Sequence, residues 1–339
     1  MMLSVIIPVI VGFAVTLFIT PWAKKFLERI GIVGRDVQKK EKPVMATSAG
    51  IPVSIGFITS ILTYVFITTF ITKAGTNLTI LFASLTSILT IVLLLLLDDI
   101  NIQPLQKTSK GEMDTRIGLK QWQKVLISFL GAVPLMVLQA GHSTVAVPFL
   151  GIINLGYLYP LLIIPLTIVF TSNASNMLAG MNGLSAGLGL VLLSFTGIYS
   201  LLYGGVEGAI LSLGMAGCLV AFLKFNAYPA KFLPGDTLTY MIGVVFGTSL
   251  IVGNIEKFGL IAYALWFVEF FLKARKKFKA SSLGILQKDG TLRPKYKKIY
   301  SLTQIGMKIV KKEKYIAPFF MTIETIICIA AFVIARVTA

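Results

Sequence analysis

The polar residues of this sequence that could do chemistry lie at the ends of strongly apolar segments. Asp98 and Asp99 follow a run of leucines, Asp236 begins an apolar segment, and Asn176 lies in an uncharged polar stretch between two such segments. Two carboxylates at the C-terminus of a helix oppose the helix dipole, so a cation should lie nearby. Mg²⁺ binds few carboxylates together with amide oxygens, waters and substrate phosphates. Asp236 and Asn176 therefore predict a magnesium site, with Mn²⁺ as the alternative ion.

The uncharged stretch, residues 171–187, has the composition of a site for a phosphate and a nucleobase. Asn173 and Asn176 are spaced to share one face of a helix, and Asn182 with Gly183 predicts a turn before the next helix. The first backbone N–H groups of that next helix would be free. Amide side chains and a helix N-terminus together form a neutral but polar site for an anion.

Structural explanations exist for the same residues. Asp98 and Asp99 could be solvated residues that close a helix, and Asp236 could be a simple N-cap. The asparagines could join membrane helices through hydrogen bonds. The segment 42–52, with small residues and two prolines, predicts either a substrate-facing turn or a helix start with Ser48 as its cap.

The elements that must position these residues are membrane helices. The chain has 339 residues, 56% of them hydrophobic and 13% charged, with a mean hydropathy of +0.85. Apolar segments close to the length that crosses a bilayer occur at 3–22, 51–72, 78–97, 125–140, 157–172, 184–203, 208–223, 237–253, 258–273 and 316–336. Because lipid cannot satisfy open backbone groups, these segments predict helices. The expected fold class is an all-α polytopic membrane protein, with about ten transmembrane helices in a single integral membrane domain over residues 1–339.

The basic residues predict the orientation of these helices. All but three of the 31 lysines and arginines lie in alternate connections, and the exceptions are Lys73, Lys257 and Arg336. By the positive-inside rule, both termini face outward and the basic connections, with the candidate site, face the cytoplasm. The formal net charge of +17 then follows from topology and contact with anionic lipid, and no nucleic-acid partner is expected. The first apolar segment lacks the flanks of a signal peptide, so we expect it to be retained.

Cysteine and histidine chemistry is not expected. Cys218 and Cys328 both lie inside apolar segments, far apart in sequence, which gives neither a disulfide framework nor a metal-ligand spacing. The single histidine, His142, lies in a connection on the opposite side from the candidate site. The sequence therefore excludes a catalytic triad, a zinc site or a histidine general base at the basic side.

The last basic connection, residues 274–315, is expected to contain a β-hairpin and an amphipathic helix. Asp289 and Gly290 lie between LGILQK and TLRP and predict a two-residue hairpin turn. Apolar residues then recur at helical spacing among lysines, at Ile299, Leu302, Ile305 and Ile309. This pattern predicts a helix that lies on the cytoplasmic membrane surface.

Together, these stretches resemble the polyprenyl-phosphate N-acetylhexosamine-1-phosphate transferase family of integral membrane enzymes. NASNMLAGMNGLSAG and FNAYPAKFLPGDTLTY are similar to the branch that contains the eukaryotic UDP-N-acetylglucosamine–dolichyl-phosphate N-acetylglucosamine phosphotransferase and its archaeal relatives. The resemblance covers nearly the whole chain and implies ten helices with both ends outside. Bacterial muramoyl-pentapeptide and undecaprenyl-phosphate members carry histidines in the last cytoplasmic loop, and this chain has none there.

The resemblance also implies roles for individual residues. Asp236 and Asn176 match the magnesium-binding positions, and Asp98 and Asp99 match a pair of catalytic aspartates. Lys124 best matches a lysine that contacts phosphate at the start of the fourth helix.

Further positions are candidates for binding the substrates. Asn173 and Asn182 match asparagines that line the nucleotide site, with Gly183 beside them. The family's last loop covers the sugar and presents an arginine to the pyrophosphate. Lys107 rivals Lys124, because Asp99 and Lys124 are farther apart than in eukaryotic members. The basic candidates are Lys107, Lys120, Arg275 and Arg293.

The activity implied is transfer of N-acetylglucosamine 1-phosphate from UDP-N-acetylglucosamine to a dolichyl-type polyprenyl phosphate, with release of UMP. Another UDP-N-acetylhexosamine or undecaprenyl phosphate could replace these substrates. The enzyme would reside in an archaeal cell membrane or the endoplasmic reticulum, with a homodimer as one option for its assembly. A transporter of nucleotide sugars or lipid-linked anions is the other class, since Glu269 and Glu324 lie within apolar runs. Against transport, the polar residues cluster on one face and no inverted repeat is visible.

Overall fold

The computed structural model describes residues 2–100, 106–108, 111–113, 118–147 and 151–337. Over these ranges the chain is mostly helical, with 8 helices long and apolar enough to cross a membrane and four small two-stranded sheets. This is the architecture of a polytopic membrane protein.

The helices follow the hydropathy of the sequence closely. In chain order they are α1 (Met2–Arg29), α2 (Gly50–Phe66), α3 (Leu78–Ile100), α4 (Gln121–Val137), α5 (Ile164–Met177), α6 (Leu184–Tyr203), α7 (Val206–Asn226), α8 (Gly235–Gly253), α9 (Glu256–Ala262), α10 (Ala264–Ala274), α11 (Leu302–Ile309) and α12 (Ile316–Val337). π-Helical turns extend α2 through Ile67–Ile71 and precede α5 at Tyr159–Ile163. Each of the ten predicted apolar segments falls on a helix, although α4 is shorter than the eight candidate spans.

The ninth apolar segment is not one helix but two, which meet at Tyr263. This tyrosine is buried, and its hydroxyl contacts the carbonyl oxygen of Thr171 at 2.6 Å and Ser175 Oγ at 2.8 Å. Its ring stacks on Trp266 with centroids 4.5 Å apart. The break therefore coincides with a side chain that is anchored to α5.

Helix α8 is the centre of the bundle, because every residue from Thr237 to Gly253 is buried. Gly243 allows α5 to approach it closely, since a Cβ atom there would lie 2.2 Å from the carbonyl oxygen of Thr171. Helices α3 and α7 also pack on α8. Helix α3 ends and α8 begins at the same end of the bundle, which we call the basic end because most lysines and arginines lie in its connections.

The sheets are antiparallel hairpins in the connections. They pair β1 (Val33–Arg35) with β2 (Val44–Ala46), β3 (Gln106–Thr108) with β4 (Gly111–Met113), β5 (Thr144–Val147) with β6 (Gly151–Asn154), and β7 (Gly284–Leu286) with β8 (Leu292–Pro294). After β2, Ser48 has a left-handed backbone, with φ of 70°. Ala49 is the N-cap of α2 and no side chain caps this helix, so Ser48 is not the predicted cap.

The last connection differs in two details from the sequence-based expectation. The β7–β8 turn has three residues, 288–290, because Gln287 N–H bonds to the carbonyl of Thr291 at 2.8 Å and Gly290 has φ of +79°. Helix α11 packs against β8 and α12. Leu302 and Met307 are buried, Ile305 packs against the core and Ile309 is 57% exposed, so the predicted apolar stripe is buried only in part.

Candidate active site

Three ionisable side chains from three helices meet at the basic end. Lys124 Nζ, in the first turn of α4, donates a hydrogen bond to Asp98 Oδ2 at 2.5 Å and another to Asp236 Oδ2. Asp98 also accepts the backbone N–H of Leu119. The side chains of Asp98, Lys124 and Asp236 are 8%, 14% and 19% exposed. Two carboxylates share one ammonium, so the cluster has a net negative charge that favours a further cation.

Asp99 has a different partner from its neighbour. Its carboxylate accepts the backbone N–H groups of Asp236 and Thr237, each at 3.2 Å, and the residue is 3% exposed. These are orphan donors at the N-terminus of α8, where a negative charge is favoured by the helix dipole. Asp99 therefore caps helix α8 and not its own helix, α3. This contact fixes the backbone position of Asp236.

The adjacent aspartates are stable together because each one meets a separate positive group. Asp98 meets the Lys124 ammonium, and Asp99 meets the N-terminus of α8. Lys124 is the cation that the sequence predicts near the pair, and it contacts Asp98.

The asparagines of α5 face α8, as their spacing predicts. Asn176 Oδ1 accepts a hydrogen bond from Thr239 Oγ1 at 2.9 Å, and Thr239 lies one turn after Asp236. Asn173 Oδ1 accepts one from the Tyr240 hydroxyl at 3.2 Å. Helix–helix bonding is thus one function of these amides, and it also fixes the positions of their oxygens.

Asp236 and Asn176 offer a carboxylate and an amide oxygen, the donor types that the sequence predicts around a magnesium ion. Asp236 and Asn176 line the same cavity, of about 360 Å³. Among the described residues no group of three or more histidine, cysteine, aspartate or glutamate side chains could hold a metal. Mg²⁺ needs few protein ligands, because it keeps several waters and binds substrate phosphates.

This 360 Å³ cavity, which we call the amide cavity, is also lined by Asn182, Arg35 and Asp36. Asn182 is 5% exposed, and its carboxamide donates to Asp36 Oδ2 at 3.1 Å and accepts from the Ala230 N–H at 3.0 Å. Asn182 thus joins the first connection, which carries Asp36, to the connection between α7 and α8, which carries Ala230.

Gly183 does not line the amide cavity. It is the N-cap of α6 with φ of 74°, and its ideal Cβ position lies 3.4 Å from the Cα atom of Ala227. The turn predicted at this position is present, and glycine suits it because the backbone is left-handed.

A buried charged cluster beside the amide cavity is not evident from the sequence. Lys39 Nζ lies 3.2 Å from Asp36 Oδ2 and also bonds to Glu313 Oε2. Glu313 Oε1 accepts the backbone N–H of Asn182 at 3.1 Å. The cluster joins the first connection to the segment before α12, and the one local signal for it is an acid, Asp36, within a strongly basic stretch.

A second cavity, of about 660 Å³, shares Asn176 with the amide cavity, and we call it the apolar cavity. Its polar lining residues are Gln121, Lys124, Asn173, Asn176, Tyr240 and Lys273. Apolar side chains form the rest, and four of them also line an apolar groove of about 550 Å³ between α4 and the α5 region, which we call the flank groove. The shared residues are Trp122, Val125, Leu166 and Val169.

Three of the remaining basic candidates line neither cavity. Lys120 is the exposed N-cap of α4, Arg275 is exposed and donates to the carbonyl of Ile299 at 3.4 Å, and Arg293 is exposed on β8. Lys107 lies on β3, and its side chain is outside the described part of the structure. Within the described part of the chain, the basic residues that line these two cavities are Lys124, Lys273 and Arg35.

Known proteins resemble this chain along its whole length. Residues 81–254 match the model of glycosyl transferase family 4. The chain is 34% identical to a protein of Sulfolobus acidocaldarius over 340 residues, which cover 99% of this chain and 98% of the relative. A protein of Saccharolobus solfataricus is 33% identical over 341 residues, again 99% and 98% of the two chains. Both are named as candidate UDP-N-acetylglucosamine–dolichyl-phosphate N-acetylglucosaminephosphotransferases.

A bacterial relative matches at lower identity. The phospho-N-acetylmuramoyl-pentapeptide-transferase of Clostridium beijerinckii is 27% identical over 350 residues, which cover 97% of this chain and 96% of the relative.

Proposed function

Because the chain belongs to glycosyl transferase family 4, we propose that it transfers N-acetylglucosamine 1-phosphate from UDP-N-acetylglucosamine to a dolichyl-type polyprenyl phosphate. UMP is the second product. The two archaeal relatives that match nearly the full chain carry this activity in their names. The reaction would be the first membrane step in the assembly of a glycan on its lipid carrier.

The observation that carries this proposal is the position of the charged cluster between two different cavities. Asp236 and Asn176 line the amide cavity, while Lys124 and Asn176 line the apolar cavity. The amide cavity offers polar groups to a nucleotide sugar. The apolar cavity continues into the flank groove, which offers an apolar surface to a polyprenyl chain. Two phosphorylated substrates, one polar and one lipidic, could thus meet at one cluster.

The chemistry needs little from a general base. An oxygen of the lipid phosphate attacks the β-phosphorus of the UDP-sugar, and the bond between this phosphorus and the bridging oxygen of UMP breaks. The second pKa of a phosphomonoester is near 6, so the attacking phosphate is largely ionised at neutral pH. Catalysis then depends on positioning and on charge stabilisation.

The described residues supply both the positioning and the charge stabilisation. The Lys124 ammonium, held by Asp98 and Asp236, donates to a phosphate oxygen, while Asp99 fixes the start of α8. Asp236 and Asn176 would hold Mg²⁺, with Mn²⁺ as a substitute. When bound there, the ion supplies charge neutralisation for the pyrophosphate and for the leaving UMP.

In this proposal the basic end faces the cytoplasm and both termini face outward, since all but three of the 31 lysines and arginines lie in the connections of that end. All ten apolar segments would then cross the membrane, with α9 and α10 together forming one crossing. Residues 274–315 would cover the substrate, and Leu283 from this segment lines the amide cavity.

The test is product analysis with the purified protein in detergent. Incubation with UDP-N-acetylglucosamine and polyprenyl phosphate should yield UMP and a lipid-linked pyrophosphate sugar in equal amounts, measured by mass spectrometry. A panel of UDP-N-acetylhexosamines and polyprenyl phosphates of different length identifies the preferred pair. A transporter would release no UMP under these conditions, and that result would reject the transferase.

A further inference from the structure

Lys273 is the second lysine of the apolar cavity, although in the sequence it is only one of many basic residues in the last connection. It lies in the last turn of α10 and its side chain is 12% exposed. Its ammonium donates to the carbonyl oxygen of Met177 at 2.5 Å. Met177 is the last residue of α5, so Lys273 binds the negative end of the helix that carries Asn173 and Asn176.

The charge of Lys273 is less neutralised than that of Lys124. Lys124 lies between two carboxylates, and its contact with Asp98 measures 2.5 Å. The acid near Lys273 is Glu269, whose Oε1 is 3.5 Å from the ammonium.

Glu269 is itself occupied by other donors. Its two oxygens accept the Ser301 hydroxyl at 2.8 Å and the backbone N–H of Leu302 at 2.7 Å, which caps α11. An ammonium has three N–H donors, and the carbonyl of Met177 and the distant Glu269 oxygen account for two of them. The remaining capacity of Lys273 is available to a ligand in the apolar cavity that it lines.

The shape and lining of this cavity define the ligand. Its apolar walls continue into the flank groove, so the ligand that reaches Lys273 has a long apolar part. A lysine ammonium with free donor capacity among the polar residues of such a cavity suits an anionic head group. A phosphate from the nucleotide sugar is the other source of such an anion, but Lys273 does not line the amide cavity.

We propose that Lys273 binds the phosphate of the lipid acceptor in the apolar cavity. This role rests on the proposed transferase function and adds a second lysine to it. Lys273 thereby distinguishes a polyprenyl phosphate from the uncharged polyprenol, while Lys124 stays with Asp98 and Asp236. The same ammonium binds the last carbonyl of α5. Phosphate bound to Lys273 is therefore in contact, through this ammonium, with the helix that carries Asn176.

The test uses Lys273→Gln, which keeps an N–H donor for the carbonyl of Met177 but removes the charge. Lys273→Arg keeps the charge, and Lys298→Gln is the matched control, at an exposed lysine of the same basic segment that lines neither cavity. Steady-state rates of UMP release are measured with each substrate varied in turn. Binding of a fluorescent short-chain polyprenyl phosphate, without UDP-sugar, is measured by polarisation beside the matching polyprenol.

For Lys273→Gln we expect the KM for polyprenyl phosphate to rise about tenfold or more, as for loss of a charge-assisted hydrogen bond. The KM for UDP-N-acetylglucosamine should stay within about twofold, and polyprenol binding should not change. Lys273→Arg should restore most of the phosphate affinity. A purely structural role of Lys273 would instead change the melting temperature and both KM values together.

Two results would overturn the role of Lys273. One is an unchanged affinity of Lys273→Gln for polyprenyl phosphate, and the other is an increase in the KM for UDP-N-acetylglucosamine alone. If Lys273→Gln does not fold, Lys273→Arg with unchanged stability but tenfold weaker polyprenol binding would also contradict it. A wild-type protein that releases no UMP refutes the transferase itself, and the polarisation assay still tests the phosphate contact.

Discussion

Replacement of Asp99 separates a positioning role from a catalytic one. The Asp99 carboxylate accepts two backbone N–H groups of α8 at 3.2 Å and is 3% exposed. A hydrogen bond to a charged group contributes about 1.5–3 kcal/mol, and a charge at a helix terminus contributes up to about 2 kcal/mol. Since these effects overlap, we expect Asp99→Ala to lower the free energy of unfolding by about 3–5 kcal/mol. Asp99→Asn keeps one acceptor oxygen and should lose about half of that.

The assay combines thermal unfolding in detergent with the rate of UMP release. Asp99→Ala should lower the melting temperature by about 5 °C or more. Asp99→Asn should retain measurable turnover, because the cap is weakened and Asp236 is displaced only slightly. The matched variant is Asp98→Asn, which removes the neighbouring carboxylate from Lys124 and should lose nearly all turnover.

A specific pattern would refute the capping role. If Asp99→Asn keeps the wild-type melting temperature and yet abolishes UMP release, Asp99 acts on a substrate or on the metal. The catalytic role that the sequence predicts for Asp99 would then stand.

Two further substitutions test the packing and the amide cavity. Gly243→Ala would place a Cβ atom 2.2 Å from the carbonyl oxygen of Thr171, so α5 and α8 must separate. We expect a loss of about 1–3 kcal/mol in thermal unfolding and a large loss of turnover, whereas Gly75→Ala, with no atom within 4 Å, should behave as wild type. Glu313→Gln removes the charge beside the backbone of Asn182 and should raise the KM for UDP-N-acetylglucosamine several-fold. An equal rise in the KM for polyprenyl phosphate would contradict its assignment to the amide cavity.

Much of the helical framework is predictable from the sequence because hydropathy is a local property. An apolar segment of about 20 residues has few solutions in lipid other than a helix, and each of the ten segments lies on one. The ninth segment departs from this rule at Tyr263, whose hydroxyl bonds to α5. Such an anchor depends on a partner about 90 residues away, which no local pattern reports.

The site is predictable where its residues are acids at the ends of apolar segments, because such positions are uncommon for a carboxylate. A carboxylate at the C-terminus of a helix is unfavourable without a nearby cation, and this identifies Asp98 before any partner is known. Asp236 is identified instead as the acid that begins an apolar segment. The partners themselves are long-range. The contact between Lys39 and Glu313 joins positions 274 residues apart. In the sequence, Lys39 is not distinguishable from the other lysines that set the orientation of the chain in the membrane.

Asp99 shows the same limit in a different form. Its pairing with Asp98 in the sequence predicts one shared function, but the two carboxylates point to different helices. The direction of a side chain at a helix C-terminus depends on which element packs against it. For Asp99 this element is α8, whose contact residue Asp236 lies 137 residues later in the chain, so the local sequence does not indicate it.

The most direct test of the account measures UMP release against Mg²⁺ concentration for the wild type and for Asp236→Asn. The wild type should lose activity in EDTA and regain it with Mg²⁺ or Mn²⁺. Asp236→Asn, shown to be folded by its thermal transition, should release no UMP at any Mg²⁺ concentration. Full turnover of the wild type in EDTA, or wild-type turnover of Asp236→Asn at saturating Mg²⁺, would contradict a metal site built on Asp236 and Asn176.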